Sequence, residues 1–206
     1  MDKATACQHA LSLLGEINYN QHAAPAAACN LHYPDVLRYA NNATHWSFAR
    51  ARRTLTPLAK PAADGIRTYL IPADCLRIIS LRDPATHTRI YKWEKYADRI
   101  EIYSPATDAV ELLYTADLIA TGSELPDSAP DFCQYVIHLL AARIAPTITG
   151  QIELANMFEQ KAAALLARAV YSDSCQTDSN DQAPPLLTSD ILTYHSDTQT
   201  TYNGYF

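Results

Sequence analysis

With 206 residues, 48% hydrophobic and 18% charged, the chain is long enough for one sizeable core, or for a core with a small second lobe. Its formal charge of −6 argues against a dedicated nucleic-acid binder. No apolar run approaches a membrane span, and Met1-Asp-Lys-Ala lacks the basic and apolar parts of a signal peptide, so synthesis and residence in the cytosol are expected.

Ala10, Leu11, Leu13 and Leu14 before Gly15 predict a first helix over residues 4–14. Residues 18–22 are polar and turn-like. A second helix is expected from 23 to about 40, carried by Ala27, Leu31, Tyr33, Val36 and Leu37. Pro34 is expected to kink or restart it, and Asn41-Asn-Ala-Thr44 to end it. The segment His45-Trp-Ser-Phe-Ala-Arg-Ala-Arg-Arg53 is the densest mixture of large aromatics and positive charge in the chain. Trp46 and Phe48 read as core, or as part of a contact surface for an acidic partner or a DNA backbone. Arg50, Arg52 and Arg53 read as solvated charges or as the basic part of that surface.

Beyond Pro57 the periodicity changes to alternation. Five short runs, at 67–71, 76–82, 89–93, 99–103 and 110–115, are separated by turn material, which predicts an antiparallel meander with one wet face. Residues 128–171 then read as a helical hairpin. Ser128 is the expected N-cap, with Pro130 and Asp131 in the first turn. Phe132, Val136, Leu139, Leu140 and Ile144 form an apolar stripe opposite Gln134 and His138, and Pro146 to Gly150 is the expected stop. Leu154, Phe158, Ala162, Leu165 and Ala169 form the stripe of the second helix. After Ser172 the chain has no Lys or Arg, several aspartates, and Tyr194, Tyr202, Tyr205 and Phe206 spread towards its end. That composition builds no core of its own and suits an arm whose aromatic residues anchor on a partner.

The expected fold is therefore α+β. A mainly helical bundle of about four helices comes from residues 1–60 and 118–171, with an inserted antiparallel β meander over 61–117 and an extended C-terminal arm over 172–206. Five cysteines, Cys7, Cys29, Cys75, Cys133 and Cys175, are scattered and form no Cys-x-x-Cys pair, so neither a disulfide framework nor a zinc site is expected. There is no Gly-rich phosphate loop, Gly-x-Ser-x-Gly elbow or His-Glu-x-x-His, and no catalytic residue, metal or cofactor is expected. Asp64, Asp74, Asp83, Asp98 and Glu101 around the β insertion keep a carboxylate-dependent glycan hydrolase as an alternative of a different class.

Three segments together resemble the head-to-tail adaptor family of short-tailed bacteriophages, also called tail tubular protein A. The first is Tyr33-Pro34 followed by Trp46-Ser-Phe-Ala49 and Arg50 to Arg53. The second is Tyr69-Leu-Ile-Pro-Ala-Asp-Cys-Leu-Arg77 with Leu113-Tyr-Thr-Ala-Asp117. The third is Pro130-Asp-Phe132 leading to Leu139-Leu-Ala-Ala-Arg-Ile-Ala145 and Ile148-Thr-Gly150. The resemblance spans roughly residues 4–171 and departs from the family at Asn41-Asn-Ala-Thr-His45, where a more basic lead-in is expected. It implies a virion protein at the head–tail junction, not an enzyme: a ring, usually of twelve copies, that binds the portal and the tail nozzle. DNA would pass through without specific binding. A head-completion connector of a longer-tailed phage is the nearest alternative. Trp46, Phe48, Arg50, Arg52, Arg53, Tyr194, Tyr202, Tyr205 and Phe206 are the candidate partner-binding residues.

Overall fold

The computed structural model describes residues 1–16, 24–58, 66–103 and 109–176. The fold is α+β, with four helices and six strands among the described residues. Helix α1 (Lys3–Leu13) starts at Asp2, whose carboxylate accepts from the Thr5 N–H at 2.7 Å. Helix α2 (Ala24–Asn42) runs unbroken through Pro34, so the expected restart does not occur. A proline forfeits one helical bond, and the buried stripe of Tyr33, Val36, Leu37 and Ala40 holds the flanking turns together.

Helix α3 (Pro130–Thr149) is the centre of the helical layer and packs against α1, α2 and α4 (Ile152–Ser174). Its beginning lies one residue later than expected. Ala129 is the cap residue and makes no side-chain cap bond, while Ser128 is exposed. Pro130 lacks the N–H that a cap would satisfy, and Asp131 instead forms an ion pair with Arg168 of α4 at 3.0 Å. The helix ends within the expected stop of Pro146 to Gly150: Pro146 is accommodated in its last turns, and the end comes at Gly150, whose φ of +69° is left-handed and whose N–H donates to the Pro146 carbonyl. Nothing lies within 4 Å of a Cβ built on Gly150, so only backbone strain opposes a side chain there. Gly150→Ala should therefore cost about 1 kcal/mol, read as a lowered urea midpoint with an unchanged slope.

His138 is a further correction: it is buried, not on a polar face. Its Nδ1 lies 2.8 Å from the Gln134 carbonyl, and its ring faces Phe158 at 6.1 Å. A helix enclosed by three others has little wet face left to offer. Tyr33 and Tyr135, buried in the same layer, have hydroxyls pushed up to about 12, chiefly by burial. Ionisation disfavoured in the folded state leaves stability intact below pH 10 and removes it as pH rises towards 12. Alkaline unfolding followed by circular dichroism should begin above pH 10 and shift upward in Tyr135→Phe.

The strands form two three-stranded antiparallel sheets, in the orders β1-β6-β3 and β2-β5-β4. They are β1 (Arg50–Leu55), β2 (Arg67–Leu70), β3 (Cys75–Arg82), β4 (Trp93–Tyr96), β5 (Arg99–Ile102) and β6 (Val110–Ala116). Only β4 and β5 are both consecutive and paired, so the architecture is not the expected single meander. Strand β1 was expected in the helical part, and the run at 89–93 is displaced to Trp93–Tyr96. Splitting the strands lets Leu55, Leu81, Val110, Leu112 and Tyr114 of one sheet share an apolar cluster with Tyr69, Ile100 and Ile102 of the other. This cluster is separate from the helical one. The two layers are tied where β6 ends: Asn41 Nδ2 donates to the Ala116 carbonyl at 2.7 Å, and Arg38 Nε to Asp117 at 2.9 Å.

Candidate partner-binding surface

The aromatic part of the candidate surface belongs largely to the core. Trp46 is wholly buried, and its indole N–H donates to the Ala40 carbonyl at 2.9 Å. It meets Phe132 edge-on at 4.8 Å and stacks on half-buried Phe48 at 5.7 Å, while Phe48 lies 4.8 Å from Phe132. The short 3₁₀ turn Ser47–Ala49 positions both rings. Asp173 at the end of α4 holds that turn, accepting from the Ser47 N–H at 3.0 and 3.1 Å and from the Ser47 hydroxyl. Trp46 is therefore a structural residue, and only the outer edge of Phe48 is available to a partner.

The arginines divide by strand alternation. Arg50 pairs in register with Thr115, which pairs with Arg77 across β6, and Arg52 pairs with Leu113. Directly opposed residues in an antiparallel pair share a face. Arg50, Arg52 and Arg77 thus stand on the sheet face away from the apolar cluster. Arg53 pairs with Leu112 and lies on the other face, at its exposed rim. The basic group is consequently Arg50, Arg52, Arg77 and Arg82, the last opposite Glu111 in register; Arg53 is not part of it.

Within this group Arg52 reaches Glu111 at 3.8 Å, a long and exposed pair of small energetic weight. Arg50 donates to the His45 carbonyl at 3.5 Å, and its buried Nε has no partner among the described residues. The Thr115 and Ser80 hydroxyls and His45 Nδ1 beside them are likewise buried without a partner among the described residues. His45 has its pKa lowered by burial first, then by the charges of Arg77 and Arg50, so it adds no positive charge at neutral pH. The face holds donors in excess of acceptors, an arrangement suited to carboxylates or phosphates. Arg77, Arg82 and Thr115 were not grouped with Arg50 in the sequence because they join it only through the pairing of β1 and β3 with β6, whereas His45 belongs to the same segment as Arg50.

A second surface feature is an open groove of about 310 Å³ between α2 and α3, lined by His32, Asp35, Val36, Tyr39, Leu139 and Arg143. Of the carboxylates considered for hydrolysis, Asp74 accepts from the Tyr114 hydroxyl at 3.0 Å, Asp83 accepts from the Ala85 N–H at 2.8 Å, and Asp98 lies 3.6 Å from Arg99. Asp64, Tyr194, Tyr202, Tyr205 and Phe206 lie outside the described residues, as does the arm beyond 176. Among the described residues no group of three His, Cys, Asp or Glu side chains is placed to hold a metal, and no helix is long and apolar enough to cross a membrane. Compared with protein-family models and with curated proteins, the chain finds no match to either.

Proposed function

We propose that the chain is a head-to-tail adaptor of a short-tailed phage: one subunit of a ring between portal and tail nozzle, of twelve copies if it follows the family it resembles. The observation that carries this reading is that the residues of the resemblance, far apart in sequence, touch one another. Trp46 and Phe48 of the first segment pack on Phe132 of the third. Within the second segment the Tyr114 hydroxyl donates to the Asp74 carboxylate, and the Asp117 N–H to the Asp74 carbonyl at 2.7 Å. A chance collection of short motifs has no reason to form two contact clusters.

In this reading the four helices form a bundle in the ring wall, and the β unit inserted between α2 and α3 faces a tail component. The face carrying Arg50, Arg52 and Arg77 meets an acidic surface of a neighbouring subunit or partner. An overall acidic subunit leaves phosphates free to slide, as an ejection channel requires. The subunit is made in the host cytoplasm and ends in the virion. The test is a nonsense mutation in the gene of the phage that encodes it. Heads filled with DNA but lacking the tail nozzle are the expected product; normally tailed particles would contradict the reading.

A further inference from the structure

Of the five cysteines, Cys175 is exposed and Cys75 half-buried, while Cys7, Cys29 and Cys133 are buried in the apolar cluster of the helical layer. Cys133 is turned away from the others, its Sγ lying 3.3 Å from the Pro126 carbonyl oxygen. Cys7 of α1 and Cys29 of α2 meet, and both are wholly buried. Cys29 Sγ lies 3.8 Å from the Cys7 carbonyl oxygen, and the two thiols are within hydrogen-bonding reach of each other. Their contact lowers the pKa of Cys7 against the opposing effect of burial, and it raises that of Cys29 with burial adding to the shift. The charge of Lys3 also favours the Cys7 thiolate, so Cys7 is the better nucleophile of the pair.

We propose that Cys7 and Cys29 are an oxidation site, closing to an intramolecular disulfide that fastens α1 to α2. The co-reactant is a small disulfide such as oxidised glutathione. The Cys7 thiolate, its proton lost to solvent, attacks one glutathione sulfur; that S–S bond breaks, and one glutathione leaves and takes up a proton. Cys29 then gives up its own proton and attacks the Cys7 sulfur, expelling the second glutathione. Two protein thiols are oxidised, and one glutathione disulfide is reduced to two thiols. Since both sulfurs are sealed from solvent, the reaction waits on lifting of α1, whose N-terminal anchor is the Met1 ammonium on the Leu125 carbonyl at 2.8 Å and on Asp127 at 2.7 Å. A reducing cytosol keeps the pair open and an oxidising exterior closes it. The bond itself does not depend on the adaptor reading; on that reading it forms once the virion has left the host.

The test incubates the purified full chain with oxidised glutathione for about a day, blocks the remaining thiols by alkylation, and maps every disulfide by mass spectrometry of its peptides. Exposed Cys175, which should be fully modified, gauges the reaction. The expected product is a monomer in which the Cys7–Cys29 link is at least about tenfold more abundant than any other link between two cysteines of the chain. In about 8 M urea that preference should be lost, because the native contact is gone. The link joins positions 22 apart, and the closed form should unfold about 8 °C above the reduced one. Cys7 and Cys29 still present as thiols when Cys175 is fully modified would overturn the proposal. So would preferential pairing of Cys7 with Cys133, or a closed form that unfolds at a lower temperature than the reduced one.

Discussion

Trp46→Ala is expected to destabilise the chain by about 4 kcal/mol, enough to leave much of it unfolded at physiological temperature. The indole is wholly buried between Phe48 and Phe132, so truncation opens a cavity that three packed helices have little freedom to fill. The Ala40 carbonyl retains the Ala43 N–H as a donor at 3.2 Å, so the loss is one of packing more than of hydrogen bonding. Trp46→Phe separates the two contributions and should cost about half as much. Urea unfolding of both variants checks this. An alanine variant as stable as the parent would mean that the cluster joining the Trp46 and Phe132 segments is not a keystone of the helical core.

The second large effect is expected at Asp117, where the sheet meets the helical layer. Its carboxylate is nearly buried and accepts from Arg38 Nε at 2.9 Å and from the Ile119 N–H at 2.9 Å. Asp117→Ala strands both donors and should cost about 2 kcal/mol. Arg38 is half-exposed, so solvent screens its share, and the capped turn at 117–121 accounts for most of the loss. Asp117→Asn keeps an acceptor for the Ile119 N–H and should recover most of the deficit in the same measurement. Full recovery would assign the interaction to the turn alone and leave the ion pair without weight.

The helices were legible in sequence because their apolar stripes recur at helical spacing over several turns, as Phe132, Val136, Leu139 and Leu140 do in α3. Their ends were read to within a residue or two: Ser128 is a good cap residue placed one position early, and Gly150 ends α3 inside the expected stop. Strand β1 was hidden because Arg-Ala-Arg-Arg-Thr-Leu shows no apolar alternation; of its inward positions Ala51 is small and Arg53 is at a rim, leaving Leu55 alone to signal burial. The sheet order was not legible either. Strand β6 recruits β1 and β3 from distant parts of the chain, and no local pattern encodes such a choice. The candidate surface inherits that limit, since half of its arginine face was visible as Arg50 and Arg52 and the other half, Arg77 and Arg82, needed the register.

The reading of this chain as an adaptor is tested most directly by its mass in solution, measured by light scattering alone and then with the assembled portal of the phage that encodes it. A subunit that becomes a stoichiometric ring on the portal is the predicted result. A monomer whose mass is indifferent to the portal would contradict it.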